Sequence, residues 1–138
     1  MTYATRQDLE KRFDAAQLVP IADRDGDGVA DADVLDLAIA DAAAEIDSWI
    51  AAVYALPLVT VPPRLTTVAC DIAFYRLHPA DAPEDVRRRY EDAVAFLRAV
   101  TEGRAALEIG GSEPPSAGSL VVWSAPPRVF TDETLVGY

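Results

Sequence analysis

Apolar residues recur at spacings of three and four through three long stretches of the chain, and each stretch predicts an amphipathic helix. The clearest runs from about Asp33 to Ala55. Leu35, Ile39, Ala42, Ile46, Trp49, Ile50 and Val53 form its stripe, while Asp36, Asp41, Glu45 and Asp47 fall mostly off it. Pro57 follows closely and is expected to stop this helix. A second helix opens at Pro62-Pro63, since proline suits a first turn. It carries Leu65, Val68, Ala69, Ile72 and Leu77 towards His78-Pro79, and its mostly apolar composition puts it at the centre of the core. A third begins around Pro83, with Asp81 as its expected cap. Val86, Tyr90, Ala93, Leu97 and Val100 make its inner face, and Gly103 is its stop signal.

Shorter elements precede these. Thr5 has the character of an N-cap, with Asp8 three residues later as an imperfect capping box. Leu9 and Phe13 then share one face of the run RQDLEKRF. Between Asp14 and Ala22 the chain reads AAQLVPIA after the aspartate, and Pro20 is expected to end or distort any helix there. The character changes at residue 110. GGSEPPSAG is a flexible, proline-bearing linker, SLVVW a short β-prone run, and SAPPRVFTDETLVGY an extended tail. The expected organisation is therefore a helical domain over 1–109 and a linker with an extended C-terminal arm over 110–138. The fold class is all-α, a small helical bundle whose arm has room for one short β-strand. Trp123, Phe130 and Tyr138 follow the linker and are expected to anchor the arm on a partner, because buried aromatics carry much interface energy.

Composition narrows the function. The 138 residues suit one domain, and 51% hydrophobic residues allow a core without disulfides or a required metal. Acidic residues outnumber basic ones 23 to 12, for a net charge of −11. That disfavours binding to nucleic-acid phosphates, although an acidic wall past which DNA slides stays open. The single cysteine, Cys70, lies in an apolar helix and reads as a core residue. No signal-peptide pattern or membrane-length apolar run is visible, so a soluble protein made in the cytoplasm is expected. His78 is the only histidine and reads as a helix-end residue. With no nucleophile–base pair, phosphate loop or ordinary zinc set, an enzyme is not expected.

One stretch does carry candidate chemistry. Residues 23 to 31 read DRDGDGVAD, with carboxylates at alternating positions. Such spacing lets oxygens converge on a calcium ion: Asp23, Asp25 and Asp27 through side chains, Val29 through its carbonyl, and Asp31 directly or through water. The calcium-loop pattern fails at its twelfth position, where Val34 replaces a bidentate Glu, and only Asp33 and Asp36 flank it. The competing reading is an Asp-Gly turn whose last aspartates cap the next helix. A second feature is Arg87-Arg88-Arg89. These arginines either pair with Glu84, Asp85, Glu91 and Asp92 at helical spacing or, through Arg87 and Arg88, meet an acidic neighbour.

Taken in order, MTYATRQDLEKRF, DRDGDGVAD, AAAEIDSWIAAVYALPL, VPPRL, ACDIAFYRL and RRRYEDAVAFLRAV resemble the Mu-like phage family of small virion proteins described as head–tail connectors or adaptors. The resemblance covers roughly residues 2 to 107, and the ending RVFTDETLVGY is similar too. It implies an α-helical connector fold and a homo-oligomeric ring at the virion neck, assembled from the bacterial cytoplasm. The implied partners are the portal protein and tail-side neck proteins, with DNA passing through without sequence-specific contact. A different class of function, a calcium-binding protein-interaction module of dockerin-like type, would show a duplicated loop-helix unit, and this chain has one such loop.

Overall fold

A computed structural model describes residues 1–109. They form five helices, α1 (Arg6–Arg12), α2 (Ala15–Ala22), α3 (Ala32–Ile50), α4 (Pro63–Leu77) and α5 (Glu84–Thr101), with no strand among the described residues. The expected all-α class holds over this region. The linker, the SLVVW run and the arm with Trp123, Phe130 and Tyr138 lie outside the described residues.

The core is the meeting of the three long helices. Ile46, Ile72 and Leu97 come from α3, α4 and α5 in turn, and each is fully buried. Helix α4 touches α1, α3 and α5, and eight of its fifteen residues are buried, which makes it the central element. The stripe of α3 is buried at Leu35, Ile39, Ala42, Ile46 and Ile50, whereas Trp49 and Val53 are only partly covered. Phe13, just past α1, stacks on Phe74 of α4 with ring centroids 3.8 Å apart and pins the N-terminal helix to the core.

The caps explain the boundaries. Thr5 Oγ1 accepts from the Asp8 backbone N–H, and the Thr5 N–H donates to the Asp8 carboxylate at 2.9 Å, so the capping box is complete. Asp14 caps α2 through the Gln17 N–H. Pro20 does not end α2 as expected. The helix continues to Ala22, because the proline removes one donor while the Asp14 cap and the buried Leu18 and Ala22 hold the turn around it. Helix α3 ends at Ile50, earlier than its stripe predicts. Val53 and Tyr54 both donate to the Ile50 carbonyl, so the chain tightens into a turn ahead of Pro57. Asp81 is not the cap of α5. Pro83 occupies that position without a side-chain bond, and Glu84 and Asp85 instead place negative charge at the helix's positive end.

Candidate functional site

The DRDGDGVAD loop joins α2 to α3 and is tied at its base by the Asp31 N–H donating to the Ala22 carbonyl at 2.9 Å. Two glycines turn it: Gly26 and Gly28 have φ of 80° and 85°, a region that favours residues without a side chain. The turns bring Asp23, Asp25, Asp27 and Asp31 together, with one carboxylate oxygen from each lying within 4.8 Å of the others. Asp25 and Asp27 are exposed, while Asp23 and Asp31 are half-buried.

The loop supports itself through backbone donors. Asp23 accepts from Gly26 at 2.7 Å and from Gly28 at 2.9 Å, one bond on each oxygen. Asp25 accepts from Asp27, Asp27 from Val29, and Asp31 from Arg24. These bonds hold the Asp23 carboxyl below the usual carboxylate range, led by the bond from Gly28. The Asp27 N–H pulls Asp25 the same way, but the neighbouring Asp23, partial desolvation and the charges of Asp27 and Asp31 outweigh it and raise Asp25. One carboxylate thus favours its charged form while its neighbour resists charging, which is the electrostatic state a divalent cation relieves.

The surroundings limit the ligand set. Val34, at the twelfth position, is partly buried against the core. Asp36 is bound by Arg6 at 2.9 Å and is not part of the carboxylate group. Asp31 is the N-cap residue of α3 but makes no side-chain capping bond, since its carboxylate serves the Arg24 N–H instead. The Val29 side chain is exposed, consistent with a residue contributing only its backbone.

Arg87 and Arg88 stand on the solvent side of α5. Arg87 pairs with Glu84 and, at 3.9 Å, with Glu91, and Arg88 lies 3.9 Å from Glu84. Cys70 is fully buried, and desolvation pushes its thiol up to about 11, so it stays protonated at neutral pH. His78 caps the end of α4, with Nδ1 2.8 Å from the Phe74 carbonyl oxygen.

Two carboxylates read from the sequence as off the core stripe turn out to be hubs. Glu45 accepts from Arg76 at 2.5 Å and from Tyr90 Oη at 2.9 Å, linking α3 to α4 and α5. Asp47 accepts from Tyr3 Oη and from the Met1 amino group at 3.2 Å. Their partners lie at least thirty-one residues away, so no local spacing announces them.

Comparison with known proteins places this helical unit. The family model described as "Bacteriophage Mu, Gp36" matches residues 3–123. The chain is 33% identical over 134 residues to "Gene product J" of Escherichia phage Mu, covering 95% of each chain. It is 37% identical over 111 residues to "Mu-like prophage FluMu protein gp36" of Haemophilus influenzae, covering 80% of this chain and 77% of that one. These sequence matches define a phage or prophage protein. The chain belongs to the bacteriophage Mu Gp36 family. Among the described residues, no helix is long and apolar enough to cross a membrane.

Proposed function

We propose that this chain is a structural head–tail connector of a Mu-like phage or prophage particle, a non-enzymatic adaptor that forms a ring between portal and tail-side neck proteins. Family membership across residues 3–123 is the observation that carries the reading. The helical core supports it, because its distinctive polar residues, Glu45 and Asp47, are engaged in tying helices and the N-terminal segment together. In this reading the protein waits in the bacterial cytoplasm and ends at the virion neck, with the 110–138 segment docking on a neighbour through Trp123, Phe130 and Tyr138. The experiment is capture of the chain by its portal protein, with a truncation after Gly110 as comparison. The full chain is expected to be retained and the truncated chain to stay folded and lose retention. A full chain that never associates with portal or tail complexes would remove the connector role.

A second reading concerns the loop alone and is favoured by the convergence of its four carboxylates. Calcium binds there through Asp23, Asp25, Asp27, the Val29 carbonyl and Asp31, stiffening the α2–α3 junction. The missing twelfth ligand makes the binding weak. Isothermal titration at millimolar calcium tests it directly, and absence of heat would leave a turn held by its own backbone bonds.

A further inference from the structure

Three arginines, one each on α1, α4 and α5, are held by a hydroxyl or an aromatic ring. Arg12 donates to Thr67 Oγ1 at 2.9 Å. The Arg89 guanidinium lies 5.8 Å from the centroid of the Phe13 ring, and that of Arg64 lies 4.9 Å from the centroid of Phe96. A hydroxyl and two aromatic faces thus orient these cations, and none of the three forms an ion pair among the described residues. Arg6, Arg76, Arg87, Arg88 and Arg104, in contrast, all reach carboxylates. Aromatic and hydroxyl partners fix a guanidinium without cancelling its charge, so its outward N–H groups remain available for bidentate bonds.

Arg12 and Arg89 share one concavity, and Arg64 stands at helical spacing from two of its lining residues. Arg64, Thr67 and Asp71 succeed one another on a single face of α4 at helical spacing. Arg12, Phe13, Thr67, Asp71 and Arg89 line a concavity of about 460 Å³. Asp71 is the one acid in it and is half-buried. Desolvation raises its carboxyl, against the pull of Arg89, Arg12 and Arg64. The cavity therefore holds more fixed positive than negative charge, in a chain whose net charge is −11.

We infer that this groove, lined by Arg12 and Arg89 with Arg64 beside it on α4, is the surface by which one copy of the chain takes up exposed carboxylates of a second copy. Charge decides the occupant. With 23 acidic residues against 12 basic ones, every copy has carboxylates to spare, and side-by-side copies repel unless a cationic surface faces an acidic one. Exposed Asp25, Asp27, Asp33 and Asp41 form no ion pair among the described residues and are of the matching type. The same net charge opposes a nucleic-acid phosphate as the ligand. A groove on one copy meeting a different, acidic surface on the next is a heterologous contact, which builds a ring where its rotation closes. The inference rests on the connector reading only in giving the copies a reason to meet. It moves the cationic contact from the ion-paired Arg87 and Arg88 to arginines that form no ion pair among the described residues.

Sedimentation of the full chain tests this. The wild type is expected to self-associate at about 50 mM salt and to weaken by about tenfold or more at about 500 mM, as screening shortens the reach of the groove's charge. Arg12→Glu with Arg89→Glu should weaken association at least as much. Arg87→Glu with Arg88→Glu should change it by less than about threefold, as expected for rim charges already paired. Circular dichroism monitors folding. If the loss of the Arg12–Thr67 bond unfolds the double variant, Arg89→Ala alone, which gives up the ring contact and one charge facing Asp71 without adding an acid there, carries the test. A monomeric wild type at low salt, or association unchanged in the groove variants, overturns the inference. So does retention of duplex DNA that the groove variants lose, which would make the ligand a phosphate. Capture by the portal is read separately. A chain captured normally with an inert groove defeats this inference alone, and a chain that self-associates through the groove but is never captured defeats the connector role alone.

Discussion

The α3–α4–α5 core and the Asp-Gly loop solve the same problem, fixing a backbone, by opposite means. In the core, Ile46, Ile72 and Leu97 are held by residues far away in sequence, and none of the three helices buries its stripe without the other two. The loop is held from within: Asp23, Asp25, Asp27 and Asp31 each accept a backbone N–H from a residue at most seven positions away. The core is therefore cooperative, and a single truncation is felt by the whole domain. The loop is local, so its carboxylates are arranged by its own backbone bonds.

The sharpest way to break that contrast is in the core. Ile46→Ala or Ile72→Ala is expected to cost about 2–5 kcal/mol, because a fully buried side chain leaves a cavity behind. Denaturant unfolding measures it, and stability unchanged in both variants would contradict the packing of α3 on α4. The polar hub comes next. Glu45→Ala strips Arg76 and Tyr90 of their acceptor and should cost about 1–2 kcal/mol, the lower end if exposed Arg76 is rehydrated. Glu45→Gln should cost less, since it keeps an acceptor oxygen.

Perturbing the loop should leave the core intact. At calcium about tenfold above its Kd, linkage adds about 1.4 kcal/mol and raises the melting temperature by a few degrees. Asp25→Asn with Asp27→Asn should abolish that rise while shifting the calcium-free melting temperature little. A large loss of calcium-free stability would mean that loop and core are not separable. The smallest effect is expected at the first cap. Thr5→Ala should cost about 1 kcal/mol near neutral pH. The Asp8 carboxyl is lowered by the Thr5 N–H and hydroxyl, so the box contributes fully above the ordinary carboxylate pKa. That contribution is lost as pH falls through the lowered folded value, and the gap between wild type and variant should narrow in acid. A gap that widens in acid would reverse the sign of this linkage.

The same contrast explains what the sequence made legible. Helix stripes and caps are local patterns, so Leu35 to Ile50, Pro63 at the start of α4 and the Thr5–Asp8 box could be read from spacing alone. The aspartate spacing of the loop was equally local, and the four predicted carboxylates do come together. Glu45 and Asp47 were not legible as hubs, because their partners sit in other elements. Arg87 and Arg88 drew notice as adjacent charges, whereas Arg89 is the one turned towards Phe13. A helix rotates by about 100° per residue, so three consecutive arginines cannot share one environment. The end of α3 and the uncapped start of α5 escaped for a related reason. Both are set by the bonds the flanking chain can make, rather than by the stripe that defines the helix.

Imaging particles made by a phage or prophage that encodes this chain tests the central claim most directly. The connector reading predicts a closed ring of copies between the portal and the tail, with the helical domain of residues 1–109 fitting each subunit's density. Complete particles whose neck contains no copy of the chain would contradict it.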